Sequence, residues 1–108
     1  MNIKVSTYNV ISDIEVELAK ARDKFPGNVD LLPALTEEVG ELNQAIIQHK
    51  HEPHKQKTHE DIFKEAIQTA VVAIRIASEG DPNFPYDPES GYRGKNWDGY
   101  KQNPVKEG

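Results

Sequence analysis

The sequence has no cysteine, which excludes disulfides and thiolate metal sites. No apolar run approaches the roughly 20 residues of a transmembrane helix, and the N-terminal stretch lacks the apolar core of a signal peptide. No membrane partner is therefore expected, and the cytoplasm is the expected compartment. Basic residues are outnumbered: 13 Lys and Arg against 18 Asp and Glu leave a formal net charge of −5. Polyanion backbones are met by basic patches, so nucleic acid is not the expected ligand. Acidic residues can still bind phosphates where a divalent cation sits between them. Hydrophobic residues are scarce at 36% and charged ones abundant at 29%, against the usual globular balance. For 108 residues this implies one domain with a modest core. Either much helix surface is exposed, or a partner subunit completes the core.

Helical punctuation dominates what is present. Ser12-Asp13-Ile14-Glu15 has the form of a capping box, and Ile11, Ile14, Leu18, Ala21 and Phe25 recur at helical spacing behind it. A first helix near 12–24 follows, stopped by Phe25-Pro26-Gly27-Asn28. Asp30 is the expected cap of a second helix near 30–50, with Pro33 tolerated in its first turn. Leu31, Leu35, Val39, Leu42 and Ile46 form its apolar stripe. Glu52 to Lys57 is a polar connection containing Pro53. Thr58 with Asp61 then opens a third helix near 58–79, ended by Gly80-Asp81-Pro82.

The third helix differs in kind. Between Ala66 and Ala77 only Gln68, Thr69 and Arg75 are polar, so it is apolar nearly all round and must be covered on several sides. Three short helices are too few for that cover, which points to a homo-oligomer. The domain is taken as residues 1–81, followed by an irregular tail over 82–108. That tail holds four of the seven prolines and four of the seven glycines. Its aromatics, Phe84, Tyr86, Tyr92, Trp97 and Tyr100, suggest docking on a neighbour.

Chemistry gathers in the carboxylates. Glu37, Glu38 and Glu41 crowd little more than one turn of the second helix. At about 100° per residue, Glu38 lies about 60° and Glu41 about 120° from Leu35, so Glu38 stands at the edge of the apolar stripe. On an arbitrary helix such a cluster is a solvated acidic face. Glu65 changes the balance, because it opens the apolar run of the third helix, where a carboxylate is less easily excused as surface. Two antiparallel helices would bring Glu38 and Glu41 against Glu65. Converging hard oxygen ligands suit Mg²⁺, which keeps waters and takes up substrate phosphates.

The pattern Glu37-Glu38-x-x-Glu41, then 23 residues, then Glu65-x-x-Gln68 resembles the E-E-x-x-E…E-x-x-D signature of the MazG-like all-α NTP pyrophosphohydrolases. The flanking strings KFPGNVDLLPALTEEVGELNQAII and EAIQTAVVAIRIASEGD extend the likeness over roughly Ala21 to Asp81. The resemblance implies an all-α helical bundle built by dimers or tetramers. It further implies Mg²⁺-dependent hydrolysis, with Mn²⁺ as a substitute, of a nucleoside triphosphate to monophosphate and pyrophosphate. Glu38, Glu41 and Glu65 match metal ligands, and Glu37 matches the accompanying acid. Gln68 stands where the family has aspartate; its amide oxygen can ligate a metal but brings no charge.

In that reading Glu38, and next Glu37, orient or deprotonate the attacking water. Arg75, in an apolar context, either meets phosphates or pairs with Glu65 or another nearby acid. Lys20, Arg22 and Lys24 are expected in solvent, with one of them, Lys24, reaching the phosphates, and Asn28 joins Arg75 and Lys24 as a substrate contact. His49, His51, His54 and His59 lack fixed ligand spacing and read as loop residues. The contrasting reading is a helical oligomer of the same ancestry that has lost catalysis and binds nucleotide or a protein partner. Gln68 favours it; the retained glutamates favour the enzyme.

Overall fold

A computed structural model describes residues 2–27, 29–80 and 82. Three α-helices follow one another, α1 (Thr7–Lys24), α2 (Leu32–His51) and α3 (His59–Glu79), with a short 3₁₀ turn (Pro53–Lys55) before α3. The described residues contain no strand. None of the helices is long and apolar enough to cross a membrane. Asn28, Asp81 and the segment 83–108, with all five of the tail aromatics, lie outside the described residues.

The first helix begins earlier than the Ser12 pattern predicts. Ser6 is its cap: extended at ψ 147°, its hydroxyl accepts from the Asn9 amide at 3.1 Å. Ser12 is thus an interior helical residue. The β-branched residues of the first turns carry only a weak propensity penalty, which a capped start outweighs. Arg22 and Lys24 in the last turn complement the helix dipole. Of the expected stripe, Ile14, Leu18 and Ala21 are half-buried, whereas Ile11 and Phe25 are exposed.

Asp30 lies one residue outside the cap position of α2. Leu31 occupies it without any side-chain bond, and the Leu32 amide donates back to Asp30 Oδ1 at 3.3 Å. Pro33 falls in the first turn, where its missing N–H removes no helical bond. The connection to α3 turns at Gln56, whose φ of 59° is left-handed. There His49 Nδ1 contacts the Lys57 carbonyl at 2.7 Å, and the His49 and His59 rings meet edge-on at 4.6 Å. The α3 start is a full capping box: the Asp61 amide donates to Thr58 Oγ1 at 3.2 Å, and the Thr58 amide to Asp61 Oδ2 at 2.8 Å. Gly80, at φ 80°, closes α3 in backbone geometry that favours glycine.

The third helix is the hub. Both α1 and α2 pack on it, and they do not pack on each other. This answers part of its all-round apolarity within one chain: Ile67, Val71 and Arg75 are buried beneath the two flanking helices. Part is left over. Ala66, Ala73, Ile74 and Ala77 of α3 remain exposed, as do Val39, Ile46 and Ile47 of α2. The fully buried apolar core of the described residues is only Leu31, Ala45, Ile67 and Val71. Val39 and Ile46, expected on the inner stripe of α2, lie outside it, because the face turned to α3 runs through Leu31, Leu35, Glu38, Leu42 and Ala45.

Candidate metal centre

That inner face carries a carboxylate. Glu38 is three residues past Leu35 and four before Leu42, so helical geometry sends it toward α3 with its apolar neighbours. It is half-buried, as is Glu65 on α3, while Glu41 is exposed. One carboxylate oxygen from each lies within 4.8 Å of the others. Among the described residues this is the group of three acidic or histidine side chains that can hold one ion. Glu37, on the same turn, is exposed and stands outside the trio.

Thr69 fixes the two helices at this level. Its hydroxyl donates to the Glu65 carbonyl at 2.8 Å and lies 3.4 Å from the carbonyl of Glu38. The sequence signal for it is the one hydroxyl between Ala66 and Ala77, one turn after Glu65.

The trio is electrostatically uncomfortable. Burial first, then the charges of Glu41, Glu65 and Glu37, push the Glu38 carboxyl above its ordinary value. Glu38 Oε1 is buried and accepts no hydrogen bond from the described residues. A buried acceptor without a donor is costly, and a cation is one natural way to satisfy it. The donor set is all carboxylate, without imidazole or thiolate, which fits a hard cation such as Mg²⁺ and not a zinc-type site.

Gln68 does not sit idle beside the trio. Its Nε2 donates to Glu17 Oε1 on α1 at 3.1 Å, and that bond, ahead of the one from Lys20, lowers the Glu17 pKa. Glu17 was not among the expected site residues; it lies on the α1 face between Ile14 and Leu18, where an acid needs a partner.

Arg75 is 3% exposed and heavily engaged. Its Nη2 donates to Glu79 Oε1 at 2.8 Å and to the Phe25 carbonyl at 2.9 Å, and its Nε to both Glu79 oxygens. Nη1 reaches the Ala21 carbonyl at 3.4 Å. Its acid is therefore Glu79, one turn on, and not Glu65. The Glu79 carboxyl, held chiefly by Arg75, stays below its ordinary value. Arg22 joins the same carboxylate at 2.7 Å and also reaches Ser78, so it is not simply solvated. Lys20 pairs with Glu17 at 3.2 Å. Lys24 has no carboxylate partner among the described residues, and its ammonium lies 5.4 Å from the centre of the Phe25 ring.

A cavity of about 340 Å³ adjoins the trio through Glu38. Its apolar lining includes Phe25, Val29, Leu31, Val71 and Val72; Asp30, Glu37, Gln68 and Arg75 supply its remaining polar groups. The α1–α2 connection is thus a wall of this space, anchored by Arg75 through the Phe25 carbonyl. Comparison with protein-family models, curated proteins and solved structures found no match to this chain.

Proposed function

We propose that the protein is a Mg²⁺-dependent nucleoside triphosphate pyrophosphohydrolase of the MazG-like kind, releasing monophosphate and pyrophosphate. The observation that carries this reading is the convergence of Glu38, Glu41 and Glu65 from two helices, with a buried Glu38 oxygen lacking a donor. The sequence resemblance supplies the reaction. Glu38, Glu41 and Glu65 hold the cation, which when bound neutralises the triphosphate and makes a bound water more acidic.

The chain's own groups divide the remaining work. Glu38, where it is not held as a ligand, orients or deprotonates the water, and exposed Glu37 is the reserve. Lys24, the α1 cation without a carboxylate partner among the described residues, is the group available to the phosphates. Arg75 is spent on Glu79 and two carbonyls, so its part is to hold the cavity wall. The exposed apolar side chains of α2 and α3 support assembly as a dimer or tetramer, in which a second chain covers Val39, Ile46 and Ile74. A stable monomer in sedimentation at micromolar concentration would remove that part of the reading.

Pyrophosphate release is measured across a panel of nucleoside triphosphates with and without Mg²⁺. At least one is expected to turn over only with the cation, giving monophosphate. Glu41→Ala and Glu65→Ala should each abolish turnover with far-UV circular dichroism unchanged. Stepwise release of single phosphates, or metal-independent turnover, refutes the assignment. The engagement of Gln68 with Glu17 favours a second reading, a nucleotide-binding oligomer with weak or no catalysis; Mg²⁺ and nucleotide binding without turnover would select it.

A further inference from the structure

The amide of Gln68 stands between two hollows. It lines the cavity of about 340 Å³ to which Glu37 and Glu38 also contribute. It equally lines a groove of about 300 Å³ between α1 and α3, beside Asp13, Glu17 and Phe63. Gln68 is half-buried and three residues past Glu65, so the two side chains are neighbours on the surface of α3. Helix α1 does not pack on α2, so the route from α1 to the carboxylate trio runs over α3.

Glu17 fixes which way that amide faces. Its carboxyl is held below the ordinary range, first by Gln68 and then by Lys20, so at neutral pH it is an anion and only accepts. The amide nitrogen is therefore the atom turned to Glu17 Oε1, at 3.1 Å, and the carbonyl oxygen is directed away from it. Lys20 takes the other carboxylate oxygen, Glu17 Oε2, at 3.2 Å. Gln68 Oε1 accepts no hydrogen bond from the described residues and is not sealed from solvent, so a ligand can reach it.

We propose that Glu17 is a positioning residue for the cation site, holding the Gln68 amide so that its carbonyl oxygen serves the Mg²⁺ bound by Glu38, Glu41 and Glu65. The proposal rests on the metal reading of that trio, and it stands whether or not turnover follows. A carboxylate behind a metal-bound imidazole fixes the ring and raises its basicity; behind an amide it does the same for the carbonyl oxygen. An amide needs both, because its oxygen brings a dipole but no charge. Glu17 returns a negative charge one residue further out, where the resemblance implies an aspartate at position 68 itself.

The test is calorimetric titration of the full chain with Mg²⁺ alone, in wild type, Glu17→Ala, Gln68→Met and the double variant, each checked for unchanged helicity. Glu17→Ala and Gln68→Met are each expected to weaken Mg²⁺ binding at least about tenfold, the lower end for losing a partner behind a metal ligand. The double variant is expected to bind no more weakly than Gln68→Met, because Glu17 then has no amide to hold. Losses that multiply towards about a hundredfold mean that Glu17 acts by its charge or by stapling α1 to α3, and overturn the proposal. Wild-type affinity in either single variant overturns it too. Glu17→Gln, nearly isosteric, is the second probe and is measured with and without Gln68→Met. Its effect is also expected to vanish in the Gln68→Met background, and an effect that persists there overturns the proposal. Glu65→Ala separates this inference from the reading beneath it. Binding lost in Glu65→Ala but unaltered in the Glu17 variants keeps the trio and removes the role of Glu17; a wild type that binds no Mg²⁺ removes both.

Discussion

Replacing Glu38 by glutamine should make the metal-free protein more stable. Three carboxylate oxygens within 4.8 Å repel by about 1 kcal/mol per pair in water-like surroundings, and by about 3.5 kcal/mol at an effective dielectric constant of about 20. Glu41 is exposed, which favours the lower figure, and part of the Glu38–Glu41 repulsion persists in the unfolded chain. Removing the two pairs that involve Glu38 should therefore stabilise by about 1–2 kcal/mol, or roughly 5–10 °C in melting temperature. The pH dependence has a definite sign. The Glu38 carboxyl is raised in the fold, so its contribution is present below the ordinary carboxylate range and lost as pH rises through the raised value. Wild type and Glu38→Gln should accordingly melt alike in acid and diverge towards neutral pH, with the variant higher. Mg²⁺ should reverse the order, since a ligand at about 100 times its Kd adds about 2.7 kcal/mol to the protein that binds it. Thermal melting followed at 222 nm, in EDTA and in millimolar Mg²⁺ across pH 4 to 8 (roughly the carboxylate-to-neutral window), reads all of this. A metal-free variant that melts at or below wild type at neutral pH refutes the reasoning, as does equal stabilisation of both proteins by Mg²⁺.

Other perturbations separate structure from chemistry. Arg75→Met leaves the Phe25 carbonyl without its donor and Glu79 with Arg22 alone, and should cost about 2–3 kcal/mol, below the full figure for a buried pair because Glu79 is partly solvated and keeps Arg22, read as a lower denaturation midpoint. Arg75→Lys should rescue little, since an ammonium does not reproduce the fork to Glu79. Glu79 is depressed, so its contribution is present above the ordinary carboxylate range and lost as pH falls through its lowered value; acid should erase much of the gap between wild type and Arg75→Met. Thr58→Ala removes the α3 capping box and should cost about 1 kcal/mol in thermal melting while leaving Mg²⁺ binding unchanged. A lost Mg²⁺ response there would mean that the α3 start, and not the trio, governs the metal.

Local signals alone determined much of this protein. Thr58 with Asp61 fixed the start of α3, and Gly80 its end, because capping and left-handed backbone depend on a few adjacent residues. The clustering of Glu37, Glu38 and Glu41 was likewise visible in the spacing. At α1 the spacing pointed to Ser12 with Glu15, whereas the helix starts six residues earlier, capped by the Ser6 hydroxyl on the Asn9 amide. The tertiary structure decided which carboxylates share a site. It set Glu38 on the inner face of α2 against Glu65, 27 positions on, and left Glu37 outside. It also decided what Arg75 and Gln68 do, pairing the first with Glu79 and the carbonyls of Ala21 and Phe25 and the second with Glu17, 51 positions away. Periodicity tells which face of a helix is apolar, but a buried polar group takes the nearest complementary atom, and only the packing of α1 and α2 on α3 says which atom is near.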